Sequence, residues 1–578
     1  MARDLRGDAL DAWRGFTDDE LACAVRVVRA CARGTGTFVE DGADGTDASG
    51  AATADDGAVT DVWTHVSVKP LRTALMPLVE RAVGRTFHGM TRAEYQARRL
   101  GKAERNRRKM AERAADRAKM DATVLRSERL RRLAALEGVN GEGLSGRLIP
   151  DGAACGSAAL AGGGDAGEEL NLLRSCYVCK SRFRVLHHFY ASLCPECADV
   201  NWERRTRSAD MRGKVCLVTG ARVKIGYRIA LKLLRAGSSV IATTRFPSDA
   251  LKRFEEESDA ADWISRLQIV AMDLRDLPFL EKLCAHLLAT LPRLDAVINN
   301  ACQTVRRPPA YYKHLLEQEA RGGFARPLAG MNSRCEFLPA AAASTSDGTT
   351  LSDWRQGEKF KDAGWMAPSA AMSQLQMIAS DADESREHFP EGARDVNGQQ
   401  VDLRSKNSWT MKLGEVETPE LLEVLAVNAA APFVINGKLR PLLAKTVAME
   451  RANGNERAAA FVINVSAMEG KFARFKQVHH PHTNMAKASL NMMTATSARD
   501  YAEDGIYMNS VDTGWINDEN PLEKAARLAT EQSFQTPIDE EDAAARVLAP
   551  VFDGYADPPP TWPPPFGKFF KDYNETEW

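Results

Sequence analysis

The segment KVCLVTGARVKIGYRIALKLLRAG, residues 214–237, constrains the fold more than any other part of this chain. An apolar run just long enough for one buried strand leads into a glycine-bearing turn. An amphipathic helix follows and stops at Gly237, a favourable C-terminal residue. A strand that is apolar on both faces has to be covered on both faces, which a parallel sheet flanked by helices achieves. The rhythm then repeats: strands are expected at residues 215–218, 240–243, 267–272, 296–298, 460–465 and 507–511. The pattern predicts an α/β fold with a doubly wound parallel sheet.

A chain of 578 residues exceeds what one hydrophobic core supports, so further parts are expected. Residues 210–550 are assigned to the Rossmann-type sheet. Before it lie a helical, basic N-terminal region at 1–140, a flexible linker at 141–169 and a small Cys/His segment at 170–205. Residues 37–59, rich in Gly, Asp and Ala, can bury almost nothing and are expected to be disordered. Residues 551–578 read as a Pro- and aromatic-rich tail. One interval breaks the rhythm, since no strand pattern is visible between Asn300 and Glu420. Such a stretch is too long for a mere connection, so an insertion at about 303–418 is expected to be a lid, a partner surface or partly disordered.

Composition narrows the class. The chain is 44% hydrophobic and 27% charged, with a formal net charge of -2, as expected of a soluble globular protein. No run of about 18 apolar residues is present, so no membrane span is expected. The start, MARDLRGDALDAWRG, lacks the apolar core of a secretory signal, and Asp4, Asp8 and Asp11 are unlike a transit peptide. A cytoplasmic location is the default expectation.

Residues 92–132 hold 15 Lys/Arg against 6 Asp/Glu. With Thr91 and Glu94 as a capping box, the stretch reads as one long charged helix. Two readings stay open: a solvated helix leaning on the protein through a narrow apolar edge, or a contact for nucleic acid or another anionic surface. The interleaved acids and near absence of aromatics favour the first.

Cys176-x-x-Cys179 is followed after 14 residues by Cys194-x-x-Cys197. Two such knuckles can bring four thiolates to one tetrahedral Zn²⁺. Four thiolates leave no open coordination position, so a structural Zn²⁺ is expected. The segment, like the insertion, could also engage a protein partner. His187 and His188 lie between the knuckles.

The turn of residues 219–226 offers backbone N–H groups and a helix N-terminus to a pyrophosphate. The span from Lys214 to about Asn520 resembles the short-chain dehydrogenase/reductase (SDR) superfamily. Thr219-Gly220-Ala-Arg222-Val-Lys224-Ile225-Gly226 is similar to its TGxxxGxG turn, with Lys224 where the middle glycine belongs. Asp273, beside Leu274, resembles the adenine-contacting aspartate. Asn299-Asn300-Ala301-Cys302 resembles the NNAG motif, Asn428 the active-site asparagine and Lys487 the lysine of YxxxK. Asn509-Ser-Val-Asp-Thr513-Gly514 resembles the NxVxPG turn bordering the nicotinamide. The resemblance implies a nicotinamide dinucleotide cofactor. At the end of the second strand stands Arg245, where an acid would favour NAD(H); a guanidinium suits a 2′-phosphate, so NADP(H) is favoured over NAD(H).

The catalytic positions depart from the pattern. The tyrosine position, four before Lys487, is Thr483, and the serine position counts to Ala467 with Ser466 one residue earlier. A threonine hydroxyl cannot replace a phenol as general acid. The adjacent run Gln477-Val-His479-His480-Pro-His482 supplies groups that titrate near neutrality, and His482 or His480 could donate the proton. Catalytic candidates are therefore Lys487, Asn428, Ser466, His482 and Thr483. Gln303, Arg306 and Arg307 could bind a substrate anion or fix the insertion by ion pairs. The resemblance implies an oxidoreductase acting on a carbonyl or alcohol, a small-molecule substrate whose identity the residues do not give. The alternative is a dinucleotide-binding sensor or scaffold with altered chemistry; the retained Lys487 and Asn428 favour the enzyme.

Overall fold

The structure is a computed structural model that describes residues 92–140, 167–321 and 368–578, apart from 396, 473–474, 517–518, 523 and 526–534, together with residues 17, 19 and 73. The expectations for residues 37–59 and for most of 141–169 fall outside the described residues. The chain divides into two units, Met1–Ala111 and Glu112–Trp578. In the first, the described part is mainly the basic start of a helix whose side chains are mostly exposed.

The basic stretch forms two helices rather than one: α1 (Arg92–Asp121) and α2 (Val124–Asn140). The break has a local cause. Thr123 Oγ1 donates to Met120 O, and the amides of Val124 and Leu125 donate to His188 O and Phe189 O. Backbone groups that would have continued one helix instead dock α2 on the cysteine segment. Met120 and Leu125 are buried there among Leu186, Phe189, Tyr190 and Leu193.

That segment is a hairpin, β1 (Glu169–Ser175) and β2 (Arg182–Val185), followed by α3 (Pro195–Thr206). The parallel sheet begins with β3 (Val215–Thr219), β4 (Ser239–Thr244), β5 (Leu267–Ala271) and β6 (Ala296–Asn299). It continues with β7 (Ala460–Ser466), β8 (Ile506–Asp512), β9 (Phe569–Lys571) and β10 (Asn574–Thr576). The spatial order is β10-β9-β8-β7-β6-β3-β4-β5, all parallel except β10. The last two strands come from the Pro- and aromatic-rich end of the chain, where sequence patterning showed no strand.

Helices α4 (Lys224–Arg235), α5 (Pro247–Glu255), α6 (Leu277–Thr290) and α7 (Pro309–Arg321) connect the first strands or follow β6. Later come α8 (Thr418–Leu425), a π-helical turn at Ala426–Ala430, α9 (Ala431–Ala452), α10 (Pro481–Glu503) and α11 (Glu540–Gly554). Apolar side chains alternate between two layers, Cys216 and Val218 on one face of the sheet and Leu217 on the other. The helical stretch Thr418–Ala452 is long and apolar enough to cross a membrane by length and composition. Here it packs on the sheet through Ile435, Leu439 and Leu443. The strand order reverses between β3 and β6, which opens a crevice at the C-terminal strand ends.

Buried charge pairs tie the extra parts to the sheet. Arg205 of α3 donates to both oxygens of Asp539 at 2.6 and 2.9 Å and stands 3.0 Å from Asp542, and Tyr190 OH donates to Asp542 at 2.6 Å. Arg129 of α2 donates to Ile538 O at 2.7 Å and to Thr536 O. A buried ion pair that loses one partner leaves the other charge desolvated and uncompensated. Arg205→Ala is therefore expected to lower unfolding free energy by about 3–5 kcal/mol, read from urea denaturation monitored by circular dichroism.

Candidate functional site

The turn after β3 is built by close backbone approach. Gly220 has φ +70, and a Cβ there would meet Ala301 Cα at 2.9 Å. At Gly226 a Cβ would lie 2.2 Å from Gly220 O and 2.4 Å from Asn300 Nδ2. Thr219 Oγ1 accepts the amides of Asn300 and Ala301 at 3.0 Å each, and Asn300 Nδ2 donates to Thr219 O. These bonds clasp the ends of β3 and β6 together at the crevice. Lys224 adopts φ 53, the left-handed conformation for which glycine is the cheaper residue, at the first position of α4. Ile225 packs against the apolar clusters on both sides of the turn. The residues present thus form the tight, backbone-lined cradle that a pyrophosphate requires.

Further along the crevice, polar groups are already paired. Arg222 is buried against Phe246 and donates to Asp249 at 2.7 Å and Gln399 at 2.6 Å. Arg245 Nη2 donates to Tyr312 OH at 3.0 Å, with its guanidinium 4.7 Å above that ring. Asp273 is held by a two-pronged bond from Arg275. Burial opposes its charge, but the guanidinium groups of Arg275 and Arg245 outweigh burial and hold the carboxyl below its usual range. Leu274 is buried beside it in the core.

Asn428 occupies the π-helical turn, a feature frequent at functional sites. Its side chain accepts from Gln303 N at 2.7 Å and donates to Gln303 O at 3.0 Å. Lys487 Nζ donates to Val465 O at 2.7 Å, one residue before Ser466. Thr483 lies one turn earlier on α10, 2% exposed. Ser466 Oγ, Thr483 Oγ1, both ring nitrogens of His482 and Glu420 Oε1 are buried without a hydrogen-bond partner. His482 Nε2 faces Glu420 Oε1 at 3.9 Å, each residue 2% exposed. Burial, helped by His480, lowers the His482 ring to about 4, and burial raises the Glu420 carboxyl.

The other two histidines serve the insertion. His480 stacks on Trp409 at 3.8 Å and bonds Trp409 O, and His479 bonds Thr410 O. Arg306 pairs with Asp381 and Glu423, and Arg307 with Asp402. In this structure both arginines fasten the insertion. The side chains of Glu420, Glu423 and Asp381 belong to this network, and nothing in their local sequence set them apart from surface acids. A cavity of about 100 Å³ remains between Lys224, Arg307, Tyr311, Arg404, Asn407 and Glu519.

Away from that cavity, the thiols of Cys176, Cys179, Cys194 and Cys197 all lie within 4.8 Å of one another, with Cys179 and Cys194 at 3.6 Å. Tetrahedral Zn–S bonds of about 2.3 Å place sulfurs about 3.8 Å apart, so the cluster fits one such ion. Hydrogen bonds from Ser181 hold the Cys179 thiol down at about 6, while burial pushes Cys194 and Cys197 up.

Residues 214–320 match the family model described as short chain dehydrogenase. The chain is 30% identical over 395 residues to an uncharacterised protein of Acanthamoeba polyphaga mimivirus, covering 66% of this chain and 72% of that one. It is 34% identical over 102 residues to retinol dehydrogenase 14 of Mus musculus, covering 16% of this chain and 30% of that one. Carbonyl reductase Sniffer of D. melanogaster superposes with a TM-score of 0.37 at 15% identity, over 64% of this chain and 100% of that one. The glycine turn, the clasp between β3 and β6 and the matched residues lead to one assignment: residues 214–320 belong to the short-chain dehydrogenase/reductase superfamily.

Proposed function

We propose that the protein is an NADP(H)-dependent oxidoreductase that interconverts a carbonyl and an alcohol, with His482 in place of the missing tyrosine as proton donor. The observation that carries this reading is two adjoining sets of buried, unpartnered polar atoms on and against one helix: Thr483, one turn before Lys487, with Ser466 next to the Val465 carbonyl that Lys487 binds, and the His482 ring facing Glu420. Buried polar atoms without partners cost about 1–3 kcal/mol each. A fold tolerates such a cluster where a ligand completes it.

Residues 219–226 and Ala301 would hold the dinucleotide's pyrophosphate side, and Arg245 would face a 2′-phosphate. When bound, the dinucleotide supplies or accepts the hydride. Lys487, which donates to Val465 O, would bind the nicotinamide ribose. In the reductive direction, the neutral His482 ring relays a proton: one ring N–H passes its proton to the substrate oxygen as the other ring nitrogen takes up the proton of Glu420. Burial raises the Glu420 carboxyl, which favours the protonated form that this relay needs. Ser466 Oγ would donate a hydrogen bond to the substrate oxygen.

His482→Ala is expected to lower kcat by about 10²–10⁴-fold in NADPH-linked reduction of a carbonyl panel, with Thr483→Ala changing it by less than about threefold. Equal losses for both would remove His482 from the donor role. Glu420 is faced by His482 of α10, by Glu423 of its own helix, and by Arg306, Arg404 and Ser408. Its folded pKa lies above the ordinary value, so reduction should be full below that folded pKa and fall as pH rises through it, a limb that Glu420→Gln abolishes.

The four-cysteine cluster is proposed to carry one structural Zn²⁺, since four thiolates leave no site for substrate. Purified protein should contain one zinc per chain by plasma emission, lose it in Cys197→Ser, and melt at lower temperature after chelation.

A further inference from the structure

We infer that the four-cysteine segment braces the turn following β8, with Tyr177 as the positioning residue, so that metal occupancy controls the order of the nicotinamide side of the crevice. The functional half of this inference rests on the dinucleotide reading; the brace itself rests on geometry alone.

β8 ends at Asp512, whose register partner on β7 is Ser466. Asp512 Oδ1 accepts Gly514 N–H at 2.7 Å, and Oδ2 accepts Lys571 Nζ at 3.0 Å. The next amide, Trp515 N–H, is taken by a residue more than three hundred positions earlier: it donates to Tyr177 OH at 2.8 Å. Tyr177 directly follows the candidate ligand Cys176. Its own amide donates to Ser192 O at 2.8 Å, which fixes it to the loop carrying the second pair of thiols. Lys571 Nζ lies 5.8 Å from the centroid of the Tyr177 ring, so one lysine touches both the phenol and the aspartate.

The turn has no spare room. Gly514 has φ +81, and a Cβ there would lie 2.6 Å from Ile538 Cδ1 and 3.3 Å from Tyr177 OH. Ile516 and Ile538 are buried in the same apolar cluster as Cys176 and Cys194. Arg129 holds the backbone of Thr536 and Ile538 from the opposite side. Any shift of Cys176 on metal loss is therefore passed through Tyr177 to residues 514–516. The turn of residues 219–226 meets the same apolar cluster through Ile225 but accepts no bond from Tyr177 OH, so loss of that hydroxyl alone should weaken the adenine half of a dinucleotide less than the nicotinamide half.

The test uses the full chain and the variant Tyr177→Phe, which keeps the ring and removes the acceptor. Metal content, amide hydrogen exchange, and binding of NADPH and of 2′,5′-ADP are measured on both. Expected are an unchanged metal content, Trp515 amide exchange about tenfold faster, NADPH binding about five- to tenfold weaker and 2′,5′-ADP binding unchanged. Chelation of the wild type should speed exchange at residues 514–516 and leave β3 protected. Unchanged Trp515 exchange in both experiments overturns the brace, and equal weakening of the two ligands overturns its link to the nicotinamide side. Should the wild type bind neither ligand, the dinucleotide reading falls while the exchange data still decide the brace.

Discussion

A guanidinium taken out of water is costly unless carboxylates or carbonyls meet it, and this protein repeatedly joins distant segments by that means. Arg205 and Arg129 reach from the N-terminal parts to residues 536–542, and Arg306 reaches from the loop after β6 to Asp381 and Glu423. Arg275 bridges Asp273 and Glu423, bringing the end of β5 to the helix that leads to Asn428. Each pair is directional and nearly dry, so it fixes orientation as well as proximity. The crevice of the sheet takes its present shape from these contacts as much as from the strands.

The consequence for chemistry is a site assembled from four sources. The sheet supplies Thr219, Asn300 and Ser466; α10 supplies His482, Thr483 and Lys487; α8 and the π turn supply Glu420 and Asn428. The insertion closes over them, with Trp409 stacked on His480 and Ser408 beside Glu420. Replacement of a tyrosine by Thr483 removes a phenol from the crevice. His482, its neighbour on the same helix, is buried beside the Glu420 carboxyl, which burial shifts upward. The proton source proposed here is a pair of residues rather than one, because a neutral His482 ring holds its N–H too tightly to act as an acid alone and needs the carboxyl beside it to supply the proton it passes on.

The parts outside the sheet are best understood through what they touch. The break between α1 and α2 gives up helical hydrogen bonds to bind the cysteine segment, and that segment reaches the turn after β8 through Tyr177. Cysteines spaced for a metal and a phenol placed on a distant backbone amide are separate facts in sequence. In space they belong to one apolar cluster.

Several features were legible from the residues. Two-sided apolar strands at residues 215–218 and 460–465 could be buried only in a parallel sheet, and the order of glycine turn, NNAC, Asn428 and Lys487 fixed where the crevice would carry polar groups. The CxxC pairs announced four neighbouring thiols. Such signals are local, since they depend on spacing along one strand or one helix. The tertiary structure alone decided the rest. It set which of three histidines is buried beside a carboxyl and which stack on the insertion, and it turned Arg306 and Arg307 into fasteners. It also drew residues 569–576 into the sheet. Those outcomes depend on partners far away along the chain, such as Asp402 for Arg307 and Glu420 for His482, whose meeting is governed by desolvation and packing, and no short stretch of sequence records either.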